Sequence, residues 1–156
     1  VNSEGSGERG ALSSDAGKRE LGGEQGAGSE MSSRQQGSKQ FRFQDLTVWQ
    51  RAAELSPGLF ALADDLERKR LYRFAEQLRA ATLSITNNIA EGSGSTSDVD
   101  FAHFLNVSRR SVFEVANMLV ILSRSECIDR ELLSAKLSDL EDLSRMLFAF
   151  QRRLRS

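Results

Sequence analysis

The stretch QLRAATLSITNNIAEGSG, residues 77–94, decides the fold. Leu78, Ala81, Ile85 and either Asn88 or Ile89 recur at steps of three and four, and Leu71 and Phe74 carry the same stripe upstream. That period belongs to an α-helix with one apolar face. Beside it runs a polar or small stripe of Gln77, Ala81, Ser84, Asn88 and Glu91. The pattern then stops at Gly92-Ser93-Gly94-Ser95. A phosphate-binding loop is one reading of such a run. It would need a preceding strand and a following GK[ST], and the sequence offers neither. A C-cap and turn, with Gly92 in a left-handed conformation, is the simpler expectation.

The flanking segments repeat the helical period. Phe101, Phe104, Leu105, Ser108, Val112, Val115, Leu119 and Leu122 make one stripe, opened by Ser97 or Asp98. Leu133, Leu137, Leu140, Leu143, Leu147, Phe150 and Leu154 make another, opened by Asp129. Upstream, Asp45 can cap a helix whose Leu46, Trp49, Ala53 and Leu55 face inward. Pro57 removes one helical hydrogen bond, and Ser56-Pro57 also reads as a new N-cap and first helical position, which predicts a kink near Ser56 before helix resumes through Leu59, Phe60 and Leu62. Asp64-Asp65 is expected to end that element and cap the next.

From Phe41 onward there are three glycines and one proline, so few breaks interrupt the helices. The expected connections, 63–65, 92–97 and 126–129, are short and force antiparallel neighbours. The sequence therefore predicts an all-α domain over residues 41–156, an antiparallel up-down-up-down four-helix bundle.

Residues 1–40 differ in kind. They contain no aromatic residue, and their only Leu, Ile or Met residues are Leu12, Leu21 and Met31. Glycine, serine, glutamate and glutamine fill most other positions, a composition too poor in apolar surface to offset the entropy of ordering. A disordered tail is expected, with neither a signal peptide nor a membrane anchor. Translation starting at Met31 is an equal alternative to a start at Val1.

Removing the tail's five cations and six acids from the chain's 21 and 22 leaves 16 of each in residues 41–156. Bulk charge is therefore a weak basis for nucleic-acid binding, which needs clustered cations; local clusters stand at Arg68-Lys69-Arg70, Arg109-Arg110 and Arg152-Arg153-Arg155. One cysteine, Cys127, excludes an internal disulfide and fits a reducing, cytoplasmic compartment. One histidine, His103, excludes a di-iron bundle site, which requires two Glu-x-x-His pairs. A four-ligand zinc site is excluded as well. Ser111 has no evident base and Cys127 no histidine near it in sequence, so nucleophilic catalysis is not expected. No cofactor, metal or enzymatic activity is expected.

Folding the hairpin about residue 95 brings Gln77 level with Ser111 and Glu114, and Asn88 level with His103. Gln77, Ser84, Asn88, Glu91, Ser111 and Glu114 can then form a polar network that fixes helix register, or a subunit contact.

Three segments carry a family resemblance: FQDLTVWQRAAEL at 43–55, QLRAATLSITNNIAEGSG at 77–94, and DFAHFLNVSRRSVFEV at 100–115. Their order resembles the bacterial four-helix-bundle proteins encoded within 23S ribosomal RNA intervening sequences, over about residues 43–154. The chain departs from that pattern at Pro57-Gly58, Leu66-Glu67, Thr86, Ser95 and Arg110-Ser111. The resemblance implies a ring-like homopentamer without enzymatic activity, acting as a scaffold or interaction module. RNA or ribosome association is the alternative it implies, since related accessory proteins of diversity-generating retroelements engage reverse transcriptase and RNA. The candidate RNA contacts are Arg68, Lys69, Arg70, Arg73, Arg79, Arg109, Arg110, Arg152, Arg153 and Arg155. Aromatics such as Trp49, Phe148 or Phe150 exposed on one subunit would mark the self-assembling version.

Overall fold

The computed structural model of the chain describes residues 41–156. The expected tail and the Met31 start lie outside the described residues. A 3-10 turn, Arg42–Asp45, leads into four helices: α1 Thr47–Arg68, α2 Tyr72–Ser93, α3 Asp98–Arg124 and α4 Arg130–Leu154. At 22 to 27 residues, each is about 33–40 Å long. α1 packs on α2, α2 on α3, α3 on α4, and α4 closes back on α1.

Paired residues run in opposite sequence directions at each contact. Gln77 meets Glu114 while Ile85 meets Ser108 across α2–α3. Ala102 meets Gln151 while Arg109 meets Ser144 across α3–α4. Arg51 reaches Asp139 across α1–α4 at 2.7 Å. The architecture is an up-down four-helix bundle.

Its core follows the stripes closely. α2 buries Leu78, Ala81, Ile85 and Ile89; α3 buries Phe101, Leu105, Val112, Val115, Leu119 and Leu122. α4 buries Leu140, Leu143 and Leu147. On α2 the stripe runs through Ile89 and not Asn88, and Phe74 lies exposed before it begins. α1 differs more. It buries Val48, Ala52, Leu55, Leu59, Leu62, Ala63 and Leu66, whereas Leu46, Trp49 and Ala53 are only half-buried. In its first two turns the core face is thus shifted one or two positions from the expected one, while Leu55, Leu59 and Leu62 lie in the core.

Three local expectations are corrected. Asp45 ends the 3-10 turn and caps nothing; Leu46 is the N-cap of α1, without a side-chain bond. α1 passes through Pro57, and Ser56 is no new cap: its hydroxyl donates to the Ala52 carbonyl at 2.8 Å. Asp64-Asp65 neither ends α1 nor caps α2, because the helix runs on to Arg68. There the Leu71 N–H donates to the Leu66 carbonyl and the Arg70 N–H to the Glu67 carbonyl, with Arg70 at φ 62°. These paired bonds form a Schellman motif with arginine in the position glycine usually takes.

α3 ends the same way. Cys127 and Glu126 donate to the Leu122 and Ser123 carbonyls, with Glu126 at φ 56°. The two N-caps expected downstream are present. Ser97 accepts from the Asp100 N–H, and Asp129 from the Leu132 N–H.

Gly92 is also corrected. It is buried inside the last turn of α2 and is not left-handed. A Cβ there would lie 2.6 Å from Phe101 Cδ2 and 2.7 Å from Phe104 Cβ. Its missing side chain lets α3 approach α2 at the turn.

Candidate functional site

The polar stripes of α2 and α3 meet in part. Asn88 donates to Ser84 Oγ at 3.1 Å, Ser84 and Ser111 hydroxyls lie 2.9 Å apart, and Ser111 donates to the Val107 carbonyl at 3.3 Å. One direction of donation, Asn88 to Ser84 to Ser111 to Val107, satisfies every hydroxyl in the chain. Gln77 donates to Glu114 at 2.5 Å, at an exposed position. Asn88 turns back to its own helix, accepting no contact from His103, because its amide also reaches the Ser84 carbonyl. Glu91 is exposed and makes no side-chain hydrogen bond among the described residues. Ser108, fully buried, donates to the Ile85 carbonyl at 2.9 Å. This seam pairs polar groups of α2 with those of α3.

The ten candidate cations divide by position. Arg68, Lys69, Arg70, Arg73 and Arg79 lie at the α1–α2 turn, Arg152, Arg153 and Arg155 at the far end of α4, and Arg109 and Arg110 midway along α3. They do not form one groove on a single subunit. Several are committed already. Arg79 reaches Asp64 and Glu67, each at 2.6 Å, and those carboxylates raise its already high pKa, the hydrogen bond to Asp64 most. Arg68 pairs with Asp65, and Lys69 donates to the Cys127 carbonyl at 2.6 Å.

Arg109 is held differently. Its guanidinium carbon sits 5.1 Å from the ring centre of Phe113 and 5.1 Å from that of Phe148, and Nε donates to Ser144 at 3.1 Å. Both rings are exposed, Phe113 at 56% and Phe148 at 45%. No carboxylate pairs with Arg109 among the described residues. A guanidinium between aromatic faces keeps its geometry and its remaining donors. Beside it lies a cleft of about 250 Å3 between α3 and α4, lined by Val112, Ala116, Leu137 and Leu140.

The opposite helix pair carries a second apolar surface. Trp49, Ala53, Pro57 and Phe60 of α1 and Leu83 and Ala90 of α2 line a groove of about 400 Å3, with Leu83 at 49% exposure. Trp49 is half-buried beneath Phe43, their ring centres 4.9 Å apart. Phe150 is half-buried too, edge-on to Phe101. The sequence reading missed Phe113. Its signal is an aromatic outside the Val112–Val115 core stripe, one turn beyond an arginine.

His103 is exposed and touches the Phe104 ring, and the half-buried Cys127 packs against the core, its thiol donating to the Ser125 carbonyl at 3.5 Å. Among the described residues, no cluster of three His, Cys, Asp or Glu side chains has metal-binding geometry. Among the same residues, no helix is long and apolar enough to cross a membrane.

No curated protein matches the chain. A solved structure from Bacteroides thetaiotaomicron VPI-5482, described as a protein of unknown function from the S23 ribosomal protein family, aligns with a TM-score of 0.64 at 24% identity. The alignment covers 67% of this chain and 97% of that one, and it supports the bundle fold. Residues 44–149 match the family described as 23S rRNA-intervening sequence protein. With the match running from the 3-10 turn through most of α4, the chain belongs to the 23S rRNA-intervening sequence protein family.

Proposed function

We propose that this chain is a non-enzymatic, self-assembling module that acts as a scaffold, forming a closed ring of five copies as the family resemblance implies. One observation carries the reading: among the described residues, opposite helix pairs leave apolar surface in water while the buried side-chain polar atoms are satisfied. Among the described residues no buried side-chain nitrogen or oxygen lacks a partner. Large apolar side chains nonetheless remain exposed on both outer faces, Phe113 and Phe148 on one and Leu83 on the other. Contiguous exposed apolar surface on an otherwise well-packed domain supports an interaction surface. Different patches on opposite sides suit head-to-tail contacts, which close into rings. Size-exclusion chromatography with light scattering tests this. Assembly predicts a mass several times the 17.3 kDa chain. A 17.3 kDa species at micromolar concentration overturns it.

A second reading is an RNA or ribonucleoprotein partner. It rests on Arg152, Arg153 and Arg155, which have no carboxylate within ion-pair distance among the described residues. Repetition around a ring would multiply that charge. Filter binding across a salt series tests it, because phosphate contacts make affinity fall steeply with salt. Absence of binding at low salt excludes it.

A further inference from the structure

We infer that the subunit contact is heterologous: the Phe113–Arg109–Phe148 ridge of one copy seats in the α1–α2 groove of the next. This rests on the self-assembly proposed above and names the two surfaces that make it. The occupant of the groove is a second copy of this chain.

Shape is the first support. The ridge stands on α3 and α4, with both rings substantially exposed around a fixed guanidinium. The groove on α1 and α2 is concave and floored by Trp49, Pro57, Phe60 and Leu83. Aromatic side chains and arginine are enriched where interfaces hold most of their binding energy. The bundle places the two surfaces on opposite helix pairs. A subunit therefore cannot satisfy its own groove with its own ridge. Two unlike patches on opposite faces propagate head to tail, whereas a two-fold dimer would need one self-complementary patch.

Charge is the second support. Arg109, Arg110 and Arg152 lie on the ridge face; Arg110 is one turn before Phe113 and Arg152 one turn after Phe148. None pairs with a carboxylate among the described residues. Glu76 lies two turns before Leu83 on α2, and Glu91 one turn after Asn87, which lines the groove. Neither pairs with a cation among the described residues, and both are exposed. Near the ridge the unpaired charges are thus positive, the lining Glu141 being paired with Arg145; along the groove's α2 edge Glu76 and Glu91 are unpaired acids, and Arg73, one turn before Glu76, is the one cation among them. Complementary potentials of this kind steer association and select partners.

The test combines two variants. Phe113→Glu with Phe148→Glu disables the ridge, and Leu83→Arg disables the groove. All three side chains are exposed, so far-UV circular dichroism is expected to stay that of the wild type. Each variant alone is expected to run at the 17.3 kDa monomer mass under conditions where the wild type assembles. Mixed in equal amounts, they are expected to give a dimer, because one intact ridge meets one intact groove. Should Leu83→Arg lose helicity, Glu76→Arg with Glu91→Arg replaces it. That pair is expected to weaken assembly at least tenfold at low salt and less at high salt. A wild type that assembles while either face variant keeps its mass overturns the pairing. So does a mixture that stays monomeric. A wild type that is itself monomeric defeats the self-assembly reading instead.

Discussion

Replacing Gly92 by alanine adds one methyl group at the tightest point between α2 and α3. Two terms oppose each other. Alanine favours helix over glycine by about 1 kcal/mol, so an unhindered Gly92→Ala would stabilise α2. Its Cβ, however, would sit 2.6 Å from Phe101 Cδ2 and 2.7 Å from Phe104 Cβ, where ordinary contact begins at 3.4 Å. Rotating Phe104 cannot move its Cβ, so α3 itself must yield. Phe101 is buried and edge-on to Phe150, with ring centres 5.1 Å apart. Overpacking of this kind costs about 1–3 kcal/mol, and more where backbone must shift. The steric term wins, and a net loss of about 1–2 kcal/mol is expected. At this domain size that lowers Tm by roughly 4–8 °C.

Gly94→Ala is the internal control. Its Cβ would lie 3.4 Å from the Glu91 carbonyl oxygen, and the backbone is already right-handed at φ −84°. Stabilisation by about 0.4–1 kcal/mol is expected there. Thermal unfolding followed by circular dichroism, at one fixed protein concentration, reads both. A Gly92→Ala protein melting at or above the wild-type temperature would refute the close-approach argument.

Further outcomes follow from the same contacts. Asp129→Ala should cost about 1 kcal/mol through loss of the α4 cap, while Asp45→Ala, which caps nothing, should stay within about 0.5 kcal/mol in chemical denaturation. Arg70→Gly and Glu126→Gly should each stabilise by roughly 0.5–1 kcal/mol, since the left-handed penalty they relieve exceeds the added chain entropy; a lower denaturation midpoint for both would contradict the Schellman assignment. A double-mutant cycle on Ser84→Ala and Ser111→Ala should return a coupling energy of about 0.5–1 kcal/mol. Strict additivity would mean that the two hydroxyls do not interact.

The stripes of α2, α3 and α4 were readable because a buried face leaves a period of three to four that few breaks disturb. The caps at Ser97 and Asp129 were readable for a related reason: a short polar side chain just ahead of an apolar run has a backbone N–H to bind. Asp45 and Asp64-Asp65 carry the same signal without the geometry. In α1 the helix starts later and ends later. Its end is set by Arg70 in a left-handed conformation, which no residue-type rule anticipates for arginine. Gly92 misled similarly, because composition cannot separate a glycine needed for φ from one needed for space.

The α2–α3 meeting was legible from register alone, since heights along a hairpin follow from its loop. The ridge was not. Sequence spacing leaves Phe113 and Phe148 outside the core but cannot place them around one arginine. That requires α3 and α4 to be set side by side in a particular register.

Native mass spectrometry of the full chain at low micromolar concentration, under volatile near-physiological salt, tests the central claim most directly. Self-assembly through the outer faces predicts a dominant closed species at five times the 17.3 kDa chain mass. A spectrum dominated by the single chain would contradict it.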